Sequence, residues 1–170
     1  MKNLILFIMA AGLLLASCTK PEGCDPAQMA TEMTAQKNGV LWRPLFVKSS
    51  FSAADSLSLS ATGGSANQGN YNKGDSLTFR LLCTGIGSYK LYSNQVFYAS
   101  FTDSGLKNYQ IDTTYNNVLN ITAYQAGDNS SMMSPNQIKI TGTFNVKFID
   151  PNNPAGISFL DGSFNTIVDR

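Results

Sequence analysis

The residue in this sequence whose surroundings most clearly specify a reaction is Cys18. Leu15-Ala16-Ser17-Cys18 closes an apolar run near the N-terminus, and a small-small-Cys exit is what a bacterial lipoprotein signal peptidase reads. Lys2 supplies a positive start, and Leu4 to Leu15 is a run of twelve apolar or small positions. A membrane-spanning helix needs about 20, so the run has the length of a secretory h-region. The expected outcome is cleavage after Ser17 and fatty acyl chains on Cys18, three by the usual chemistry of that class. Each buried methylene contributes about 0.8 kcal/mol and stable anchoring takes two chains, so three would hold the protein on the membrane. Thr19 stands where an Asp would signal inner-membrane retention, which points to the outer membrane, with its face open. The alternative is an ordinary signal peptide with Cys18 incidental.

Other chemistry is sparse. The chain has no histidine, which removes Ser-His-Asp and Cys-His catalysis in their usual forms and the commonest metal ligand. Beyond Cys18 only Cys24 and Cys83 remain, too few for a structural zinc site. They could pair in an oxidising compartment; the alternative is a buried free Cys83 and a Cys24 left in the tether. No phosphate-cradling motif occurs, and no cofactor or metal is expected. Paired carboxylates could hydrolyse glycosides at separations of about 5 to 9.5 Å. The candidates Asp55, Asp75, Asp103, Asp112, Asp128, Asp150 and Asp161 all sit in or beside expected turns, where Asp bonds its own backbone. Asp150, Asn152 and Asn153 offer too few oxygens for calcium. Tyr89, Tyr92 and Tyr98 could form a platform that stacks on sugar rings or apolar ligands. Phe97 shares parity with Ala99 and Phe101, so Tyr98 is expected on the opposite side. Trp42, beside a turn and a proline, reads as a core plug.

After loss of residues 1–17 the chain has 153 residues (170 − 17), the size of one domain. Losing Lys2 leaves 11 Lys and Arg against 11 Asp and Glu. A balanced charge gives no electrostatic footprint for nucleic acid. Residues 18–30, with Pro21, Gly23 and Pro26, read as a tether, and 31–170 as a single β domain.

That domain is written in period two, the pattern of half-buried strands. Met33 and Ala35 alternate with polar neighbours up to Asn38-Gly39, a type I′ hairpin pair. Pro44 marks an edge strand or an interruption. Ser56 to Ala61 alternates serine with Leu57, Leu59 and Ala61; Leu77, Phe79, Leu81 and Cys83 share one phase. Tyr89 to Tyr92 and Gln95 to Phe101 read as two strands joined at Ser93-Asn94. Leu119, Ile121 and Ala123 share a face, as do Ile138, Ile140, Phe144, Val146 and Phe148, with Gly142 marking a bend or bulge. Asp150 to Gly156 reads as a long turn and Asp161-Gly162 as another I′ hairpin. No stretch of ten residues after Cys18 has a helical period. Nine to eleven short strands imply an antiparallel β-sandwich, with a small lipocalin-like barrel as alternative.

Met33-Thr-Ala-Gln-Lys-Asn-Gly-Val-Leu-Trp42, Ile140-Thr-Gly-Thr-Phe144 and Gly162-Ser-Phe164 together resemble a group of small lipoproteins of Bacteroidetes-type bacteria that carry an all-β domain of unknown function. The resemblance spans about Thr31 to Val168. It implies an envelope location and a β fold and carries no assigned activity. The expectation is therefore a lipid-anchored, non-enzymatic binding or structural module, with a protein or glycan partner left open. A carboxylate glycoside hydrolase and a small-ligand carrier in a barrel are the alternatives.

Overall fold

A computed structural model describes residues 31–52, 55–63, 74–92, 96–128, 133–150 and 152–169. Eleven strands follow in order: β1 (Glu32–Lys37), β2 (Val40–Trp42), β3 (Phe46–Phe51), β4 (Ser56–Thr62), β5 (Ser76–Leu82), β6 (Gly87–Lys90), β7 (Tyr98–Thr102), β8 (Asn108–Ile111), β9 (Val118–Ala126), β10 (Gln137–Asp150) and β11 (Asn153–Asp169). All ladders between them are antiparallel, and no helix occurs among the described residues. The antiparallel all-β expectation holds, strand number included.

The strands form one sheet in the order β2-β1-β11-β10-β8-β7-β5-β4-β3. It curls strongly into a half-barrel, so a single sheet supplies both packed layers. Strand β8 turns the corner by pairing Phe101 and Thr102 of β7 on one side and Phe148 and Ile149 of β10 on the other. The far edge comes back to the near side: Ser49 of β3 hydrogen-bonds the Thr166 hydroxyl and the Ile167 carbonyl of β11. The concave face holds one core. Phe79 packs on Phe144 at 4.9 Å between ring centroids and Phe101 on Phe159 at 5.1 Å. Trp42 is buried edge-on against Phe159. Burying each such side chain stabilises the fold by about 1.5–3 kcal/mol.

A second branch leaves β10. Its first half pairs β9, which pairs β6, while its last residues pair β8. Asn117 sits in the fork, buried. Its Oδ1 accepts the Lys147 amide at 2.8 Å, and its Nδ2 donates to the carbonyls of Asp112 at 2.6 Å and Tyr115 at 3.1 Å. One side chain thus gives the Lys147 amide an acceptor and adds a second donor to two carbonyls that also accept the Tyr115 and Asn117 amides.

One local expectation holds and others are corrected. Asn38-Gly39 is the I′ turn, with φ of 50° and 79°. Asp161-Gly162 is not a hairpin: β11 runs through it with a bulge, since Phe144 pairs Gly162 but Val146 pairs Phe159. Asp161 takes a φ of 50° there, and the Asn145 side chain accepts its amide. A bulge also interrupts β9 opposite Thr141 and Gly142, so Ala123 is exposed rather than sharing the face of Ile121. Among the described residues β6 pairs β9, β7 pairs β5 and β8, and Tyr92 forms a parallel bridge to Tyr98. The long turn after Asp150 is short, because β11 begins at Asn153. Cys18, Cys24 and residues 64–73 lie outside the described residues.

Candidate functional site

The sequence of β4, Ser-Leu-Ser-Leu-Ser-Ala-Thr, fixes two unlike faces. Leu57, Leu59 and Ala61 enter the core with Leu77, Phe79, Leu81, Ala99 and Phe101 of β5 and β7. The alternate positions must then face outward. The registers bring Ser50, Ser58, Arg80 and Tyr98 into one row across β3, β4, β5 and β7. Beside it runs a second row, Lys48, Ser60, Thr78 and Ser100. The first row lies in an open depression of about 660 Å³, completed by Ser52, Ser56 and Thr78.

Hydroxyl groups dominate this depression. Arg80 is exposed, and its Nε donates to Ser56 Oγ at 3.4 Å. It makes no salt bridge among the described residues, where the ion pairs are Lys37–Asp75 and Lys107–Asp150. Tyr98 is half-buried at the end of the row. The outward positions of these four strands carry Lys48 and Arg80 and no acidic side chain.

The three expected platform tyrosines separate. Tyr98 lines the depression, and Tyr92 is exposed at its backbone bridge to Tyr98, with the Lys90 ammonium 5.6 Å from its ring. Tyr89 turns towards the core, stacks on Phe97 at 6.5 Å and donates its hydroxyl to the Gly85 carbonyl at 2.7 Å. Phe97 packs against the core and Tyr98 does not, as their parity predicts. Cys83 is a buried free thiol. Burial pushes its pKa up, only partly offset by contacts with Gly85 and Tyr89.

A family model, Domain of unknown function (DUF6252), matches residues 30–168. The chain belongs to that family. Its match takes in β1 to β10, all of β11 but its last residue, and the motifs that carry the resemblance. No curated protein and no solved structure shows significant similarity to the chain.

Five charged groups of this DUF6252 domain, Lys37, Asp75, Asp103, Lys107 and Asp150, are linked to one another through ion pairs and turn contacts. Lys37 on β1 pairs with buried Asp75 at 2.5 Å, and Asp75 also accepts the Ser104 amide. Lys107 pairs with Asp150, which is buried and accepts the Asn152 amide. The Lys107 ammonium and the Asn152 amide hold the Asp150 carboxyl below its ordinary value, and Asp150 raises Lys107 in return. Burial pushes Asp103 up, but the Lys107 amide, the Tyr109 hydroxyl and the Gly105 amide outweigh it and leave the carboxyl lowered. Asp112 is lowered by the Thr114 hydroxyl and amide. Asp75 and Asp150 are thus each engaged by a lysine, and Asp103 and Asp112 by local turn donors. Among the described residues no group of three His, Cys, Asp or Glu side chains could hold a metal.

The outer depression was legible in part. Alternating serines identify a wet face, and the parity of Tyr98 puts it there. The sequence alone does not align Arg80 with Ser58 and Tyr98, because that needs two strand registers.

Proposed function

We propose that this protein is a lipid-anchored, non-enzymatic binding module of the cell envelope, of the kind to which its Bacteroidetes-type resemblance points. The observation that carries the binding role is the hydroxyl-lined depression on the outer face of β3, β4, β5 and β7, with Arg80 in it making no ion pair among the described residues. A preformed polar surface with few charges suits reversible recognition by several hydrogen bonds. Four of the seven candidate carboxylates for a hydrolase, Asp75, Asp103, Asp112 and Asp150, are engaged in ion pairs and turns. A carrier would need an internal apolar cavity, whereas aromatic contacts occupy the concave side. The anchor rests on Leu15-Ala16-Ser17-Cys18.

Two measurements test this. Labelled palmitate should enter the wild-type chain and not Cys18→Ser; equal labelling of both, or none in either, overturns the anchor. The full chain, immobilised, should retain envelope polysaccharide and release it at unchanged length. Shortened chains in the eluate would convert the protein into a hydrolase, and no retention would remove the binding role.

A further inference from the structure

We infer that the outer depression binds a carboxylate-bearing glycan, with Arg80 gripping the carboxylate and Tyr98 receiving a sugar face. The inference rests on the binding-module reading and specifies its ligand.

The first observation is charge. The chain after Ser17 is balanced, yet the outward positions of β3, β4, β5 and β7 carry Lys48 and Arg80 and no acid. A solitary arginine on a sheet face normally reaches a cross-strand acid. Here its direct neighbours in the row are Ser58 and Tyr98, which do not neutralise it. Guanidinium presents a planar fork that matches a carboxylate bidentately. A carboxylate held beside Ser56 and Ser58 would also receive hydroxyl bonds.

The second observation is spacing. Three strand intervals separate Ser50 from Tyr98, a span of about 14 Å. That is the length of a short oligosaccharide lying across the strands. Hydroxyls of Ser50, Ser58 and Thr78 can donate or accept as the ligand requires, which fits the mixed donors and acceptors of sugar rings. Tyr98, at one end, offers an aromatic ring with a polar tip. Lys48 stands one row away, about 6.6 Å along the strand, and adds attraction without direct contact. A bare inorganic oxyanion would use Arg80 and leave the tyrosine and the far serines idle.

The test is calorimetric titration of the full-length chain in detergent with three probes: a tetramer of α-1,4-linked galacturonate, the same tetramer with its carboxyls reduced, and inorganic phosphate. The acidic tetramer should bind, and the reduced one should bind at least tenfold more weakly. Arg80→Gln should lose tenfold or more for the acidic tetramer, Arg80→Lys should recover part of that loss, and Lys48→Gln should lose only two- to threefold. Tyr98→Leu should weaken both tetramers. Amide chemical-shift changes should centre on Ser58, Arg80 and Tyr98, and each variant should melt like wild type. The inference is overturned if the reduced tetramer binds as well as the acidic one and Arg80→Gln is silent. That result would leave the binding-module reading standing. It is also overturned if phosphate alone binds as tightly as the acidic tetramer, or if no probe binds the wild-type chain while envelope polysaccharide is still retained.

Discussion

Gly142 and Phe164 face each other across β10 and β11, and a Cβ built on Gly142 would lie 2.5 Å from Phe164 Cζ and closer still to the Asn120 carbonyl oxygen. Two residues along, the relationship is reversed. Phe144 pairs with Gly162, whose Cβ would lie 2.5 Å from Phe144 Cζ. Each ring therefore covers the glycine opposite it. The motifs Ile140-Thr-Gly-Thr-Phe and Gly162-Ser-Phe are the two halves of one packing device. Overpacking a filled core costs about 1–3 kcal/mol. Gly142→Ala should fall at the upper end, because backbone of β9 must move. Gly162→Ala should cost less, about 1–2 kcal/mol, because only a ring is in the way. Chemical denaturation measures both. Phe144→Leu should partly rescue Gly162→Ala, while Phe164→Leu should fail to rescue Gly142→Ala.

Asn117 supplies three hydrogen bonds where the sheet forks. Asn117→Ala leaves the Lys147 amide to find another partner, while the Asp112 and Tyr115 carbonyls keep the backbone amides of Tyr115 and Asn117. An unsatisfied buried group costs about 1–3 kcal/mol, so one orphaned amide sets an expected loss of about 1–3 kcal/mol. Hydrogen exchange gives the specific readout. The Lys147 amide should lose protection well beyond what the global destabilisation accounts for, and a uniform loss would deny Asn117 this role.

The strands that sequence reveals best are those whose two faces differ most. In β4, hydroxyl and apolar residues alternate without exception, and β10 keeps one apolar phase from Ile138 to Phe148. Strand β8 escapes notice because four residues, Asn-Tyr-Gln-Ile, hold only one fully buried side chain. The Asp161-Gly162 pair misleads for a physical reason: a left-handed residue serves a bulge as well as a turn, and only the partners Asn145 and Phe159 distinguish them. The bulge in β9 likewise shifts the phase after Ile121, which no window centred on Leu119 can reveal. Site legibility follows the same rule. Hydroxyl content is local, whereas the meeting of Ser58, Arg80 and Tyr98 is set by registers between segments up to some 40 residues apart.

Acid should weaken the fold through three carboxylates. Asp103, Asp112 and Asp150 all have lowered pKa values when folded. The unfolded chain then binds protons more readily than the folded one, so stability rises with pH across that range. Their contribution is complete above the ordinary Asp value of about 3.9 and is lost as pH falls from there through the lowered folded values. Denaturation midpoints should be flat from pH 6 to 8 on this account and decline on acidification below about pH 4. Asp150→Asn should be less stable at neutral pH and show a shallower acid limb. An unchanged limb would mean that the Lys107 pair contributes nothing to it.

Ser49 and Thr166 close what the backbone leaves open. Strand β3 has a ladder only to β4, and its return to β11 runs through the Ser49 hydroxyl, which bonds Thr166 Oγ1 and the Ile167 carbonyl. Thr166 is buried and also meets the Thr31 hydroxyl at 3.1 Å. Thr166→Val keeps the shape of the side chain and removes both bonds, for an expected loss of about 1–2 kcal/mol. Ser49→Ala removes one shared bond and one of its own. If the seam holds the half-barrel together, the two changes should be less than additive, since residues sharing one bond couple. Amides of β3 should then exchange faster in both variants, while those of β9 and β10 keep their protection. Because β3 carries Ser50 of the outer row, Thr166→Val should also weaken retention of envelope polysaccharide without touching any groove residue. Strict additivity, with β3 no looser than β10, would place closure of the sheet in the core packing of Val47 and Phe51 rather than in this pair of hydroxyls.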